Sequence, residues 1–175
     1  ADELALIQSE QDLREQLLKR MQGPAFSQFI MTAANDQLLT MKFIQDNSEP
    51  LEELDTYLYP GLNDRLEKSQ QTMEALYEQL DAAIDAKVSA QDQLNWDEQQ
   101  WDQFFDSHPS IWQLQQQVSD AEDQHWQWYE AVSKALSEEP LRLIDYVVQN
   151  DRPYSEILTA DYMMVNGFTN EIYNL

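Results

Sequence analysis

The chain has 175 residues and a formal net charge of −23, because 33 Asp and Glu residues outnumber 10 Lys and Arg residues. So acidic a surface repels nucleic acid and anionic membranes, which excludes both as expected partners, and no apolar run is long enough to predict membrane insertion. The absence of cysteine excludes disulfides, thiolate metal sites and covalently attached c-type haem. With three glycines and six prolines among many helix formers, the composition predicts an all-α fold.

The N-terminal part of the chain is predicted to hold two amphipathic helices. Apolar spacing indicates a first helix over residues 2–22, ended by Gly23-Pro24, and a second that continues to about residue 45. A loop over residues 46–50 and a short helix over residues 51–58 follow; an acidic group flanks this loop, with the carboxylates of Asp46, Glu49, Glu52 and Glu53. These oxygens could hold a divalent cation, but the loop lacks the spacing and the glycine of a calcium loop. A solvated acidic loop is the interpretation we favour.

Residues 62–87 give the clearest helical pattern. Apolar and small side chains recur there with alternating spacings of four and three, at Leu62, Leu66, Ser69, Met73, Leu76, Leu80 and Ala83. This is a heptad seam, and we predict that it packs against a second helix over residues 109–136. The predicted architecture is an antiparallel helical bundle with a long coiled-coil-like hairpin and a C-terminal short-helix motif.

The segment over residues 88–133 is the most unusual in composition. It has no Lys or Arg, nine Asp or Glu residues, both histidines and all five tryptophans, Trp96, Trp101, Trp112, Trp126 and Trp128. Aromatic residues at these spacings can fill a helical core, form an interface with a partner polypeptide or line a ligand site. We favour burial of these tryptophans in the helical core. For a functional role, we predict an interface with a partner polypeptide.

Glu122 and His125 are weak candidates for metal ligands. Their spacing places both on one helix face, as in di-iron carboxylate bundles, but the second such motif is missing. A histidine packed by neighbouring aromatic side chains is the favoured alternative. No catalytic residue is predicted, and the interpretation that this chain alone is not an enzyme is preferred.

The C-terminal segment carries a dense set of residues: DRPY at 151–154, LTADY at 158–162 and VN at 165–166. This motif resembles the signature of a family of large secreted bacterial proteins of planctomycete type that are associated with cytochromes. The resemblance implies a periplasmic or secreted location, with haem only in an associated module or partner. The N-terminal Ala1-Asp2-Glu3 is typical of a mature chain after signal cleavage.

Within the motif, we predict a structural hub made by Arg152, Asp161 and Tyr162. Arg152 precedes a proline, where the chain should bend, and its guanidinium could bridge the Asp161 carboxylate across the bend. A short helix over residues 160–165, capped by Thr159, would follow. No strong pattern is present over residues 167–175.

These observations predict two segments and a binding role. Residues 1–139 form the helical bundle, and residues 140–175 form the motif-bearing segment, with Pro140 in the first turn of a new helix. The predicted function is an extracytoplasmic binding or assembly module without its own cofactor, within a larger haem-associated redox protein or complex. The alternatives are a metal-binding enzyme that uses Glu122 and His125, and an acidic structural scaffold.

Overall fold

The computed structural model describes residues 9–42, 51, 54 and 57–175. All regular secondary structure in these ranges is helical, and they contain no strand, so the all-α prediction is confirmed. The acidic-loop residues Asp46, Glu49, Glu52 and Glu53 lie outside the described residues, as do residues 2–8 of the first predicted helix. Within the described ranges, no helix combines the length and apolar character needed to cross a membrane.

Eight helices are described. In chain order they are α1 (Glu10–Met21), α2 (Pro24–Leu38), α3 (Pro60–Asp85), α4 (Ala90–Asn95), α5 (Glu98–Ser107), α6 (Pro109–Gln149), α7 (Glu156–Thr159) and α8 (Gly167–Tyr173). Gly23 and Pro24 separate α1 from α2 as predicted, with Pro24 in the first turn, where its missing N–H costs nothing. The prediction of a second helix to residue 45 was wrong, because α2 ends at Leu38 and Leu39 adopts a left-handed conformation.

The chain divides into two compact units, residues 1–53 with 132–170 and residues 54–131 with 171–175. In the described part of the first unit, the buried apolar residues are Leu51, Val132, Ala135, Leu141 and Val147. The amide of Gln149 donates to the Ser27 hydroxyl at 3.2 Å and thereby links the end of α6 to α2. Helix α6 contributes residues to both units.

Helix α6 runs without a break for 41 residues and contains Pro140 in its interior. The expectation of a new helix with Pro140 in its first turn was therefore wrong, and the predicted segment boundary at residues 139 and 140 falls inside a helix. An interior proline removes one hydrogen bond and costs about 3 kcal/mol. Complete burial of Leu141 and Val147, which follow it, offsets that cost.

The second unit is organised around the predicted seam of α3. Leu62 and Leu80 are buried, and the other seam residues are half-buried, whereas most of the intervening residues are exposed. Leu80 belongs to an apolar cluster with Val88, Phe104, Ile111 and Val118. The heptad spacing thus identifies the inward face of α3.

Contacts between α3 and α6 follow opposite residue orders. Arg65 lies over the ring of Trp128, Ser69 contacts His125, and Tyr77 donates to Glu122. Rising numbers on α3 meet falling numbers on α6, as in two antiparallel helices.

The C-terminal segment differs from its prediction. Helix α7 ends at Thr159, and residues 160–166 are not helical, so the predicted helix over 160–165 was wrong. Helix α8 instead forms over residues where the sequence showed no strong pattern. Asn166 and Thr169 cap its start reciprocally: the Asn166 side chain accepts from the Thr169 N–H at 3.0 Å, and the Thr169 hydroxyl accepts from the Asn166 N–H at 2.8 Å.

Candidate functional site

A chain of aromatic rings runs from the end of α4 to the start of α6. Trp96, at the C-terminus of α4, packs edge-on against Trp101 of α5 with ring centroids 5.0 Å apart. Trp101 stacks on Phe105 at 5.9 Å, and Phe105 meets Trp112 of α6 at 5.5 Å. Since Trp101 and Phe105 are one turn apart on α5, helix geometry places both rings on the same side.

The outer end of this aromatic chain opens into a cleft of about 460 Å³. Phe105, Pro109 and Trp112 form its apolar wall, and 47% of Trp112 is exposed. Asp102 and Asp106 complete the lining. We call this feature the aromatic–acidic cleft.

Asp102 and Asp106 are both exposed and lie four residues apart on α5, so their carboxylates share one face. Like charges at this spacing destabilise a helix by a few tenths of a kcal/mol. A cation between them would remove that repulsion and would lie beside the Phe105 and Trp112 rings, whose faces attract positive charge. The arrangement can therefore bind an organic cation.

The other two tryptophans form a separate group. Trp128 is buried, its indole N–H donates to the Glu171 carboxylate at 3.3 Å, and the Arg65 guanidinium lies 5.5 Å from its ring centre. Trp126 is 49% exposed and packs edge-on against His125 and Tyr129. Of the five tryptophans predicted as an interface, the structure places Trp96, Trp101 and Trp112 together beside the cleft.

The predicted hub has Arg152 and Tyr162 together, but with a different carboxylate. Glu156, the first residue of α7, accepts two hydrogen bonds from the Arg152 guanidinium, at 2.7 and 2.8 Å. Tyr162 donates its hydroxyl to the same carboxylate, and the guanidinium lies 5.6 and 5.9 Å from the rings of Tyr146 and Tyr162. Asp161 is exposed, so the predicted Arg152–Asp161 pair is corrected to Arg152–Glu156.

The hydrogen bonds of the hub shift the pKa values of Glu156 and Tyr162. Hydrogen bonds from Arg152 and then Tyr162 hold the pKa of Glu156 below its ordinary value. The same bond to Glu156 raises the pKa of the Tyr162 hydroxyl. The carboxylate therefore stays ionised near neutral pH, and its contacts join Arg152, before α7, to Tyr162, after it.

Comparison with known families identifies the C-terminal part of the chain. Residues 78–175, more than half of the sequence, match the family PSD4, described as a protein of unknown function (DUF1592). The chain belongs to the DUF1592 family. No curated protein and no solved structure matches it.

The DUF1592 region contains both features described above. It includes the aromatic–acidic cleft on α5 and α6 and the Arg152–Glu156 hub, together with the last part of α3. The motif that carries the resemblance to cytochrome-associated proteins also lies inside it.

Glu122 and His125, the weak metal candidates, each contact a side chain of α3. Glu122 accepts the hydroxyl of Tyr77, and this hydrogen bond raises the pKa of Tyr77. His125 Nδ1 lies 2.9 Å from the Ser69 hydroxyl oxygen. Among the described residues, no group of three His, Asp or Glu side chains is arranged to hold a metal ion.

Sequence reasoning missed Asp102, Asp106 and Phe105 as site residues. Their signal was available, since two acids four residues apart alternate with aromatic residues on one short helix. The tryptophan positions alone do not identify the site, because they do not indicate the carboxylates that give the cleft its charge.

Proposed function

We propose that this chain is a helical binding module whose aromatic–acidic cleft takes a Lys or Arg side chain of a partner polypeptide. The single observation that carries the proposal is the placement of Asp102 and Asp106 in one cleft with the half-exposed Trp112. A carboxylate pair supplies the charge complement, and the aromatic wall supplies an apolar surface for the aliphatic stem of the side chain.

The charge of the whole chain favours the same partner. A net charge of −23 attracts a basic polypeptide from a distance and raises its association rate, especially at low salt. The cleft would add local selectivity to that attraction, because aromatic contacts are short-ranged and survive in salt.

The wider setting is also a proposal. The DRPY–LTADY motif and membership in the DUF1592 family support an extracytoplasmic module that works beside a c-type haem module or partner. Fractionation of the source cells, followed by immunoblotting, tests the location. A signal confined to the cytoplasm would contradict it.

Binding of short peptides tests the cleft. Tetralysine and tetraarginine peptides, with a tetraserine peptide as control, are titrated by calorimetry at about 0.15 M salt, where remote charges are screened. We expect the two basic peptides to bind the wild-type chain. In the D102N/D106N variant we expect binding to be about tenfold weaker, because the loss of the two charges should reduce the binding free energy by roughly 1.4 kcal/mol.

Matched variants separate the cleft from the general charge. D120N/D123N removes two exposed carboxylates from α6 and should weaken binding by less than about twofold. W112A should weaken it, whereas W126A removes an equally exposed tryptophan away from the cleft and should not. Equal losses in D102N/D106N and D120N/D123N would show that only overall charge matters and would contradict the proposal.

A further inference from the structure

A second cavity, of about 170 Å³, lies between α3 and α6 in the same unit. Helix α3 lines it with Arg65, Lys68 and Ser69, which are spaced three and four residues apart and so share one face. Helix α6 adds Gln124 and His125 at the corresponding spacing. The remaining lining residue of α6 is Ala121, whose small side chain leaves space between the two helices.

The lining of this cavity is opposite in charge to the rest of the chain. None of its residues is acidic, although acids outnumber bases by more than three to one in the sequence. It includes two cationic side chains, Arg65 and Lys68, and the amide of Gln124. We infer that this cavity binds a small oxyanion, either a phosphate group or a carboxylate.

Three of the lining side chains are held in place by contacts with other side chains. The Arg65 guanidinium packs over the Trp128 ring at 5.5 Å, and its Nε lies 3.7 Å from a Glu171 oxygen. A guanidinium has five N–H donors in a planar fork, so the long contact of Nε with Glu171 does not use the other donors of Arg65. Ser69 and His125 are fixed by their mutual contact at 2.9 Å.

The net charge of −23 does not prevent anion binding in this cavity. At physiological salt the Debye length is about 8 Å, so most remote carboxylates are screened, whereas Arg65 and Lys68 act at contact distance. The nearby Glu122 carboxylate is engaged by the Tyr77 hydroxyl. Binding should therefore depend on the lining residues more than on total charge.

Titration with inorganic phosphate, followed by amide chemical shifts at constant ionic strength set by sodium chloride, tests the inference. A parallel titration with succinate distinguishes a carboxylate from a phosphate ligand. We expect saturable shifts in residues 65–72 and 121–125 with at least one of the two anions. Saturation by phosphate alone would assign a phosphate group, and saturation by succinate alone would assign a carboxylate.

Isosteric variants give the decisive comparison. Gln124→Glu places a carboxylate at the cavity and should weaken binding at least about fivefold, while Gln127→Glu adds the same charge one turn away at an exposed position. Lys68→Gln should weaken binding similarly, and Lys87→Gln is its control. Lys68 and Gln124 are exposed, so neither change should disturb the fold.

Absence of saturable shifts with both anions would overturn the inference. So would equal weakening in the cavity variants and their controls, because that result would assign the binding to general charge. The test is independent of the proposed peptide cleft: D102N/D106N should leave the anion titration of residues 65–72 unchanged.

Discussion

The Glu156 carboxylate binds two side chains of the C-terminal segment, Arg152 and Tyr162. Arg152 donates two hydrogen bonds to it, Tyr162 donates a third, and Tyr146 packs against both partners. A carboxylate that accepts several hydrogen bonds is stabilised in its ionised form. We therefore expect the conformation of residues 152–162 to depend on Glu156 remaining charged.

We expect Glu156→Gln to lower the unfolding midpoint, because it removes the ion pair with Arg152 and weakens the bond from Tyr162. Asp161→Asn, an equally conservative change at an exposed carboxylate of the same segment, should alter the midpoint less. Urea unfolding followed by circular dichroism measures both. A larger loss in Asp161→Asn would restore the pairing that the sequence first suggested.

The stabilisation by Glu156 should depend on pH. Its folded-state pKa is lowered, so its contribution is present above the unfolded value of about 4.3 and is lost as pH falls through the folded pKa. The difference in urea midpoint between the wild type and Glu156→Gln should shrink below about pH 4.3. A difference that stays constant across this range would contradict the assignment.

Tyr162 should ionise at a higher pH than an ordinary tyrosine, because its hydroxyl donates to the Glu156 carboxylate. With its folded pKa raised, the bond stabilises the fold below about pH 10 and is lost as pH rises through the folded pKa. Tyrosinate absorbance measures this titration. Tyr162→Phe should remove a high-pH step, and Glu156→Gln should move that step toward lower pH; an unchanged curve in both would contradict the expectation.

At the scale of elements, the close approach of α8 to α3 depends on a glycine. A Cβ at Gly61 would overlap the carbonyl oxygen of Glu171 and would lie 3.2 Å from the Cα of Ile172, which is fully buried. We expect Gly61→Ala to cost roughly 1–3 kcal/mol in unfolding free energy, measured by urea titration. Gly167→Ala is the matched control, since nothing lies near its added methyl group, and it should be neutral or slightly stabilising.

The apolar cluster between α3 and α6 should be sensitive to truncation. Leu80→Ala removes a buried side chain that packs with Val118 and Phe104, and it should cost about 2–5 kcal/mol. Leu94→Ala removes the same atoms from an 84% exposed position and should change stability by less than about 0.5 kcal/mol. Similar unfolding free energies for the two variants would contradict the packing of the seam.

Sequence patterns predicted a helix well where apolar periodicity determines its buried face. They predicted less well where tertiary contacts determine the local structure. The α3 seam is found because its spacing reports directly on the buried face. Pro140 was misplaced because a local helix breaker is outweighed by burial of its neighbours, which propensity does not measure. Arg152 was paired with Asp161, but it binds Glu156 instead; Arg152 lies outside any helix, so no helical spacing in the sequence indicated this partner.

At the scale of the whole molecule, the charge of −23 opposes compaction. We expect the unfolding midpoint to rise as sodium chloride increases from about 10 mM to about 0.5 M, because salt screens the repulsion among carboxylates. Thermal scans by circular dichroism measure this. The same salt series near pH 4.1, the sequence isoelectric point, should show a much smaller rise, and an equal rise at both pH values would contradict the explanation.

The family match begins inside α3, so a recombinant fragment limited to the matched residues would begin within a helix. A recombinant fragment cut at residue 78 would discard the first two-thirds of that helix, including Leu62, Arg65 and Ser69. Trp128 and His125 would then lose the side chains that contact them. A soluble fragment of this region should therefore begin before Tyr59, whose ring stacks on Tyr173 at 5.4 Å.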